Sequence, residues 1–373
     1  MRRVLFCGGG TGGHILPGLA IAEELRRWGW RDLLWIGDPE RLEARLVPAA
    51  GIPLLPCGLP RPRPWSWRWW LAALRALWDS WRLLRQQRPG VLVALGGYAA
   101  LLPGLLAPLL GRPLVLLEQN ARPGKANRWL SGLASCVVVH YPSAASELPR
   151  ARCLGNPVRR IACRRRATGP ELTVLVMGGS LAAKSLNDLV ALAAHQLRAL
   201  PQLRLVHIAG EQDRERVSAL YRAAGIAAEV HGFVTDMPAL YERADLAVCR
   251  AGATTLAELC VAGIGSVLVP LPWAADDHQT ANARALAEAG AALVLPQASS
   301  RPEDMARLLL ELCREPARIT AMGEAAARLG RPAAARQVAA LICGLAEARQ
   351  RRAQRRQAAR AAWRRHLLSR SQR

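Results

Sequence analysis

Residues 4–14 read "VLFCGGGTGGH" and residues 172–184 read "LTVLVMGGSLAAK". Each is a short apolar run that breaks into glycines and then into a helical pattern. At such a junction a buried parallel strand hands over to a helix whose N-terminus, rich in unpaired N–H groups, can face a ligand. One junction in each half of a 373-residue chain predicts two domains, which the length also favours.

The same rhythm continues outward from both junctions. "RVLFC", "DLLWIG", "IPLLP", "VLVAL", "PLVLLE" and "CVVVH" precede a polar, proline-bounded stretch, "CRRRATGP" at 163–170. "LTVLVMG", "LRLVHIAG", "AAEVHGF", "DLAVC", "SVLVP" and "AALVLP" follow it. Purely apolar strands alternating with helices belong to parallel sheets covered on both faces. The fold class is α/β, with two Rossmann-like doubly wound domains whose strand ends face one cleft. Residues 91–111, "VLVALGGYAALLPGLLAPLLG", carry no charge and are long enough to span a bilayer. Gly96, Gly97, Pro103 and Pro108 interrupt them, so a buried strand, a glycine loop and a short helix are expected instead. "MRRVLFC" has too short an apolar run for a signal peptide.

The formal charge is +23, nearly all of it arginine, which points to a polyanionic partner. Residues 349–373 hold ten arginines and no acid, leaving +13 for the rest, so 347–373 reads as an appended basic tail. The nine cysteines are odd in number and form no CxxC pair, as expected of reduced core residues rather than disulfides or a zinc site.

Several residues could carry chemistry. Gly8, Gly10 and Gly13 satisfy G-x-G-x-x-G, a weak dinucleotide signal that, with Asp38 closing the second strand, keeps an NAD(P)-dependent, membrane-associated oxidoreductase as the rival reading. His14 opens the first helix at the mouth of the cleft, as a catalytic base or a helix-end residue. Glu118 closes an apolar strand with Gln119 and Asn120; it suits an acid, a base, a sugar ligand or a cap for the next helix. In "VCRAGATTLAELC" the amides and hydroxyls from Arg250 to Thr255 suit a diphosphate and Glu258 a ribose diol. Gln279 and Asn282, at i and i+3, could read sugar hydroxyls. Asp276 and Asp277 are adjacent, so no metal-holding D-x-D is offered.

Seven stretches in order, "GGGTGGHILPGLAIAEEL", "LGGYAALLPG", "EQNARPGKANRWL", "GNPVRR", "VMGGSLAAKSLN", "VHGFVTDMPALYERADLAVCRAGATTLAEL" and "DDHQTANARALAEAGAA", resemble the MurG family of glycosyltransferase family 28. Its members are N-acetylglucosaminyltransferases of bacterial peptidoglycan synthesis. The resemblance implies a GT-B architecture, with an acceptor-side and membrane-side domain at 1–160 and a UDP-GlcNAc-binding domain at 161–331. A helix near 332–346 would return to the first domain. It implies transfer of GlcNAc from UDP-GlcNAc to the C4 hydroxyl of the undecaprenyl-linked acceptor, lipid I, at the cytoplasmic face of the inner membrane, with no tightly bound cofactor and no metal.

Carried over position by position, Thr11, Gly12 and Gly13 would line the donor, and Asn120 would meet the sugar. Arg159 and Ser180 would reach the diphosphate and Val234 the uracil. Ala253, Thr254, Thr255, Leu256, Ala257 and Glu258 would hold ribose and phosphate, and Gln279 the GlcNAc. His14 and Glu118 are the catalytic candidates. Leu117 stands where the family usually has histidine, Leu181 replaces a glutamine and Ala251 a serine.

Residues 61–88, "RPRPWSWRWWLAALRALWDSWRLLRQQR", hold six of the twelve tryptophans. At helical spacing Trp67, Trp70, Leu71, Leu74, Leu77, Trp78, Trp81 and Leu84 fall within about 140°, flanked by Arg68, Arg75 and Arg82. Part of that stripe is expected to pack on the sheet. The aromatic–arginine mixture predicts docking on an anionic inner leaflet. Nucleic acid would instead require aromatic platforms on a groove.

Overall fold

A computed structural model describes residues 3–57, 66–162, 171–179, 184–272 and 277–371, with backbone alone at 360–362 and 364–371. The first part runs β1 (Val4–Cys7), α1 (Gly12–Arg27), β2 (Leu33–Gly37), α2 (Glu43–Ala49), β3 (Leu54–Pro56), α3 (Trp67–Gln87) and β4 (Val91–Ala94). It continues with α4 (Tyr98–Leu109), β5 (Leu114–Glu118), α5 (Lys125–Ser131), β6 (Cys136–Val139), α6 (Pro142–Glu147) and β7 (Ala151–Cys153). The second comprises β8 (Leu172–Met177), α7 (Lys184–Leu197), β9 (Leu203–Ile208), α8 (Arg214–Ala223), β10 (Ala228–His231), α9 (Met237–Arg243) and β11 (Leu246–Cys249). Then follow α10 (Ala253–Ala262), β12 (Gly265–Leu268), α11 (His278–Glu288), β13 (Ala292–Val294), α12 (Pro302–Arg314), α13 (Pro316–Leu329) and α14 (Ala334–Ser371). The polar linker expected at 163–170 lies outside the described residues.

Two parallel sheets result, ordered β3-β2-β1-β4-β5-β6-β7 and β10-β9-β8-β11-β12-β13. In both, the order reverses beside the strand that ends in glycines. Val4 pairs with Leu33 on one side and Val91 on the other, and Val174 pairs with Leu205 and Leu246. Each sheet has an apolar cluster on each face, which is why its strands read as unbroken apolar runs. All twelve expected strands are present. The short edge strand β7 was not expected, because its half-exposed Ala-Arg-Cys carries no apolar run.

Residues 91–111 form β4, a glycine loop and α4, and among the described residues no helix is long and apolar enough to cross a membrane. Cys7, Cys57, Cys136, Cys249, Cys260 and Cys313 are buried; Cys153 is exposed, against expectation, on the edge strand. Cys163 is outside the described residues.

α14 leaves the second sheet and packs on α1, lending Val338, Ala339, Ile342 and Ala346 to the first core. A fully buried Val or Ile contributes about 1.5–3 kcal/mol, so this return fastens the chain's end to the first sheet. Beyond it the basic tail continues the same helix, exposed from Gln350 to Ala359.

α3 turns an unexpected face inward. It packs through Ala76, Ser80 and Leu84. Of the predicted stripe only Leu84 is core; Trp67 (67%), Trp70, Leu71, Leu74 and Trp78 (59%) are exposed, and Trp81 is half-buried against Trp78. Ala76 and Ser80 lie against Cys57 just beyond β3, so the large apolar side chains on the other side of the helix have no protein to cover them. Leu105 and Leu109 of α4 add exposed apolar surface, with Leu109 71% exposed.

Candidate active site

The β1–α1 and β4–α4 loops meet at the switch point of the first sheet, and His14 stands between them. Its Nδ1 lies 3.2 Å from the Gly9 carbonyl oxygen. A carbonyl only accepts, so Nδ1 carries the proton and Nε2 presents its lone pair, with no partner among the described residues. The ring packs against Gly96, where a Cβ would sit 3.1 Å from Nε2 and φ is +100°; both facts require glycine there. Burial pushes the imidazole below its ordinary range, and the Gly9 carbonyl and Glu118 carboxylate oppose that shift. His14 is therefore neutral near pH 7, with Nε2 able to accept a proton.

Glu118 has no lone pair left open. Oε1 accepts from Asn120 N (3.0 Å) and Asn120 Nδ2 (3.1 Å), and Oε2 from Gly124 N (2.9 Å) and Asn127 Nδ2 (2.8 Å). A carboxylate has about four lone-pair sites, and all are taken. Glu118 braces the loop into α5 and places negative charge near His14, the capping alternative rather than proton transfer.

Glu43 was not anticipated. It is fully buried beneath the first glycine loop, where it accepts from Gly10 N (2.8 Å) and Asp38 N (3.1 Å). A side chain at Gly9 would collide with it, so loop and carboxylate specify each other. Nothing in its local sequence, "ERLEARL", marks Glu43 as different from its exposed neighbours. Asp38, which the oxidoreductase reading needs free for a ribose, pairs with Arg41 at 3.1 Å and accepts from Glu40 N.

Across the cleft α10 begins at Ala253 with Gly252 as its N-cap, leaving the first-turn amides of Ala253, Thr254 and Thr255 without helical partners. The side chains there do less than expected. Leu256 and Ala257 are core, and the Thr254 hydroxyl donates to the Gly13 carbonyl (3.0 Å) while accepting from Asn156 Nδ2 (3.3 Å). The backbone of this turn and the hydroxyl of half-exposed Thr255 are what remain open to an anion. Glu258 is buried: Oε1 accepts from Arg159 Nε (2.7 Å) and Oε2 from the Tyr241 hydroxyl (2.8 Å). The residues expected at ribose and diphosphate are thus paired with each other.

Gln279 accepts from Leu271 N at 3.0 Å, so its Nε2 has the hydrogens to offer. Asn282, expected beside it at the sugar, is fully buried, with its amide spent on hydrogen bonds between the two sheets' loops. Val234 is half-buried against the second core, and Phe233 lies 5.1 Å under the Arg45 guanidinium from the first part. Thr11 is exposed, while Gly12 and Gly13 open α1. Ser180 and Leu181 lie outside the described residues, as does Asp276. Among the described residues no group of three His, Cys, Asp or Glu side chains converges to hold a metal.

Residues 4–139 match the glycosyltransferase family 28 N-terminal domain and residues 173–338 the glycosyltransferase family 28 C-terminal domain. A curated Bordetella petrii protein is 45% identical over 350 residues, covering 90% of this chain and 96% of its own. The chain belongs to glycosyltransferase family 28. An Alkalilimnicola ehrlichii member is also 45% identical, over 93% of this chain and 99% of its own. Both are named UDP-N-acetylglucosamine–N-acetylmuramyl-(pentapeptide) pyrophosphoryl-undecaprenol N-acetylglucosamine transferase. The crystal structure of Acinetobacter baumannii MurG superposes with a TM-score of 0.76 at 34% identity, covering 92% of this chain and all of that one. The fold is GT-B. As a family 28 chain it has Leu117 buried in the first core, where no imidazole is offered, and at Ala251 it is the carbonyl that makes a contact. Family membership and the paired Asp38 set the oxidoreductase reading aside.

Proposed function

We propose that the chain transfers N-acetylglucosamine from UDP-GlcNAc to the C4 hydroxyl of undecaprenyl-diphosphoryl MurNAc-pentapeptide, lipid I, with inversion, producing lipid II. The observation that carries this is the neutral His14, its Nε2 lone pair open at the switch-point cleft of a family 28 chain. Nε2 takes the proton of the C4 hydroxyl as that oxygen bonds to the anomeric carbon. The bond from that carbon to the diphosphate breaks, and its electron pair leaves on UDP.

The first-turn amides of α10 and Arg159 meet the charge developing on UDP. Arg159 must then exchange Glu258 for phosphate, while Glu258 turns Oε1 to the ribose diol and keeps Oε2 on Tyr241. Gln279 Nε2 donates to a sugar hydroxyl and Asn120 approaches the same sugar. Ser180 reaches the diphosphate, Val234 packs on uracil, and Thr11, Gly12 and Gly13 line the donor. These groups supply the compensation, so no metal or resident cofactor is invoked.

The acceptor is a membrane lipid. The exposed Trp67, Trp70, Leu74 and Trp78 with Arg68, Arg75 and Arg82 suit peripheral docking on the anionic inner leaflet, at its cytoplasmic face. A helical stripe without a groove does not suit nucleic acid. Incubation with radiolabelled UDP-GlcNAc and a lipid I analogue tests the reading: label should enter the lipid as UDP is released. No transfer to that acceptor, with the donor bound, would refute it.

A further inference from the structure

We infer that Asn282 is a positioning residue that latches the two domains over the reacting centre and sets the carboxamide of Asn120; it does not read the sugar. The inference rests on the transferase reading for its kinetic consequence but not for its geometry. Asn282 lies on α11, one turn after Gln279, and is fully buried. Its Oδ1 accepts from Ala121 N at 2.8 Å. Its Nδ2 donates to Asn120 Oδ1 and to the Ala251 carbonyl, both at 3.1 Å.

Asn120 and Ala121 follow β5 in the first domain, and Ala251 follows β11 in the second. The partners also fix the amide's orientation. Ala121 N–H requires an acceptor and the Ala251 carbonyl a donor, so a flipped Asn282 would mismatch at both. Both amide hydrogens are spent, and none remains for a sugar hydroxyl.

The consequence runs through Asn120. With its Oδ1 held by Asn282, its Nδ2 points to Glu118 Oε1 at 3.1 Å, so three side chains form one chain from α11 to the loop beside His14. Two of the three Asn282 bonds cross between domains and exist only when the cleft is closed. Asn282 thus favours the closed population in which His14 faces the donor domain. Because Gln279 sits on the same helix, a shift of α11 on sugar binding would be transmitted to Asn120. Thr254, bonded to the Gly13 carbonyl, is a second tie, but it touches neither Asn120 nor Glu118.

The test uses full-length Asn282→Ala, with Asn282→Ser as the milder variant if the first folds poorly. Amide exchange of the segment holding Ala121 should speed up by about 10-fold or more in either variant, since that N–H loses its acceptor. With lipid I analogue and UDP-GlcNAc, kcat should fall about 10- to 100-fold, the scale of one or two buried hydrogen bonds, while the Kd for UDP stays within about 3-fold. Combined with Asn120→Ala, the losses in kcat should not multiply.

A raised KM for UDP-GlcNAc with native kcat and native exchange at Ala121 would overturn the inference and return Asn282 to the sugar. Multiplicative losses with Asn120→Ala would overturn the coupling. Faster exchange at Ala121 in a chain whose native form transfers no sugar would retain the latch and reject the transferase.

Discussion

His14 shows how one residue's chemistry is set by its neighbours. Because burial lowers its proton affinity and the Gly9 carbonyl fixes its tautomer, the acid limb of kcat/KM should fall below pH 6.5, the ordinary histidine value. Activity needs the neutral ring and is lost as pH falls through the depressed value. A pH–rate profile checks this, and a limb at or above 6.5 would contradict it. His14→Ala should lower kcat about 100- to 10,000-fold and leave UDP affinity unchanged. On the donor side, Glu258→Ala should weaken UDP and UDP-GlcNAc about equally, whereas Gln279→Ala should weaken only UDP-GlcNAc. Calorimetric titration of both ligands decides, and equal losses in the Gln279 variant would remove it from the sugar. His14 was legible in the sequence because it follows a glycine loop. Glu43 was not, since only the fold puts that carboxylate under Gly10.

At the scale of the element, α3 separates what periodicity can tell from what it cannot. The apolar stripe was visible at helical spacing, yet the helix docks on its sheet through Ala76 and Ser80, small residues that carry little hydrophobic signal. The uncovered tryptophans and arginines should therefore govern membrane binding without affecting the fold. Replacing Trp67, Trp70 and Trp78 by serine, or Arg68, Arg75 and Arg82 by glutamine, should abolish co-sedimentation with anionic vesicles. Tm, UDP affinity and activity on a short-chain soluble acceptor should be retained. The arginine effect should shrink with salt, as the Debye length falls from about 10 Å at 0.1 M to about 3 Å at 1 M. Loss of Tm in the tryptophan variant with unchanged vesicle binding in the arginine variant would mark the stripe as core.

For the whole molecule, stability depends on polar groups buried in a neutral form. His207 is fully buried in the second core, with Nε2 3.0 Å from Asn187 Oδ1 and Nδ1 2.7 Å from the Tyr221 hydroxyl. Asn187 Oδ1 can only accept, so Nε2–H donates to it and Tyr221 donates to Nδ1. A second proton would break the tyrosine bond, and burial lowers the His207 pKa to about 4. The unfolded chain takes that proton first, near pH 6.5. His207 alone should therefore lower the unfolding free energy by up to about 3 kcal/mol as pH drops from about 6.5 to 4. His140, which burial likewise lowers to about 4, adds a similar share over the same window. Urea titrations at intervals across that window measure it, and His207→Gln should remove its share of the slope and leave that of His140. A native protein equally stable at pH 7 and 4.5 would exclude this account.

The sequence by itself determined the two parallel sheets, their twelve strands other than β7 and the glycine loops where each strand order reverses. These are local properties: an apolar run between helical periods declares a buried strand, and glycine declares close backbone approach. The family motifs likewise lay in contiguous stretches. The tertiary structure alone decided which side chains are free. Glu118, Thr254 and Asn282 looked like ligands of the substrate because polar residues at strand and helix ends usually face a cleft. Each instead spends its hydrogen bonds on a loop or on the opposite domain. A donor and an acceptor about 160 positions apart, such as Ala121 N and Asn282 Oδ1, leave no periodic trace in the chain, and only folding brings them to 2.8 Å.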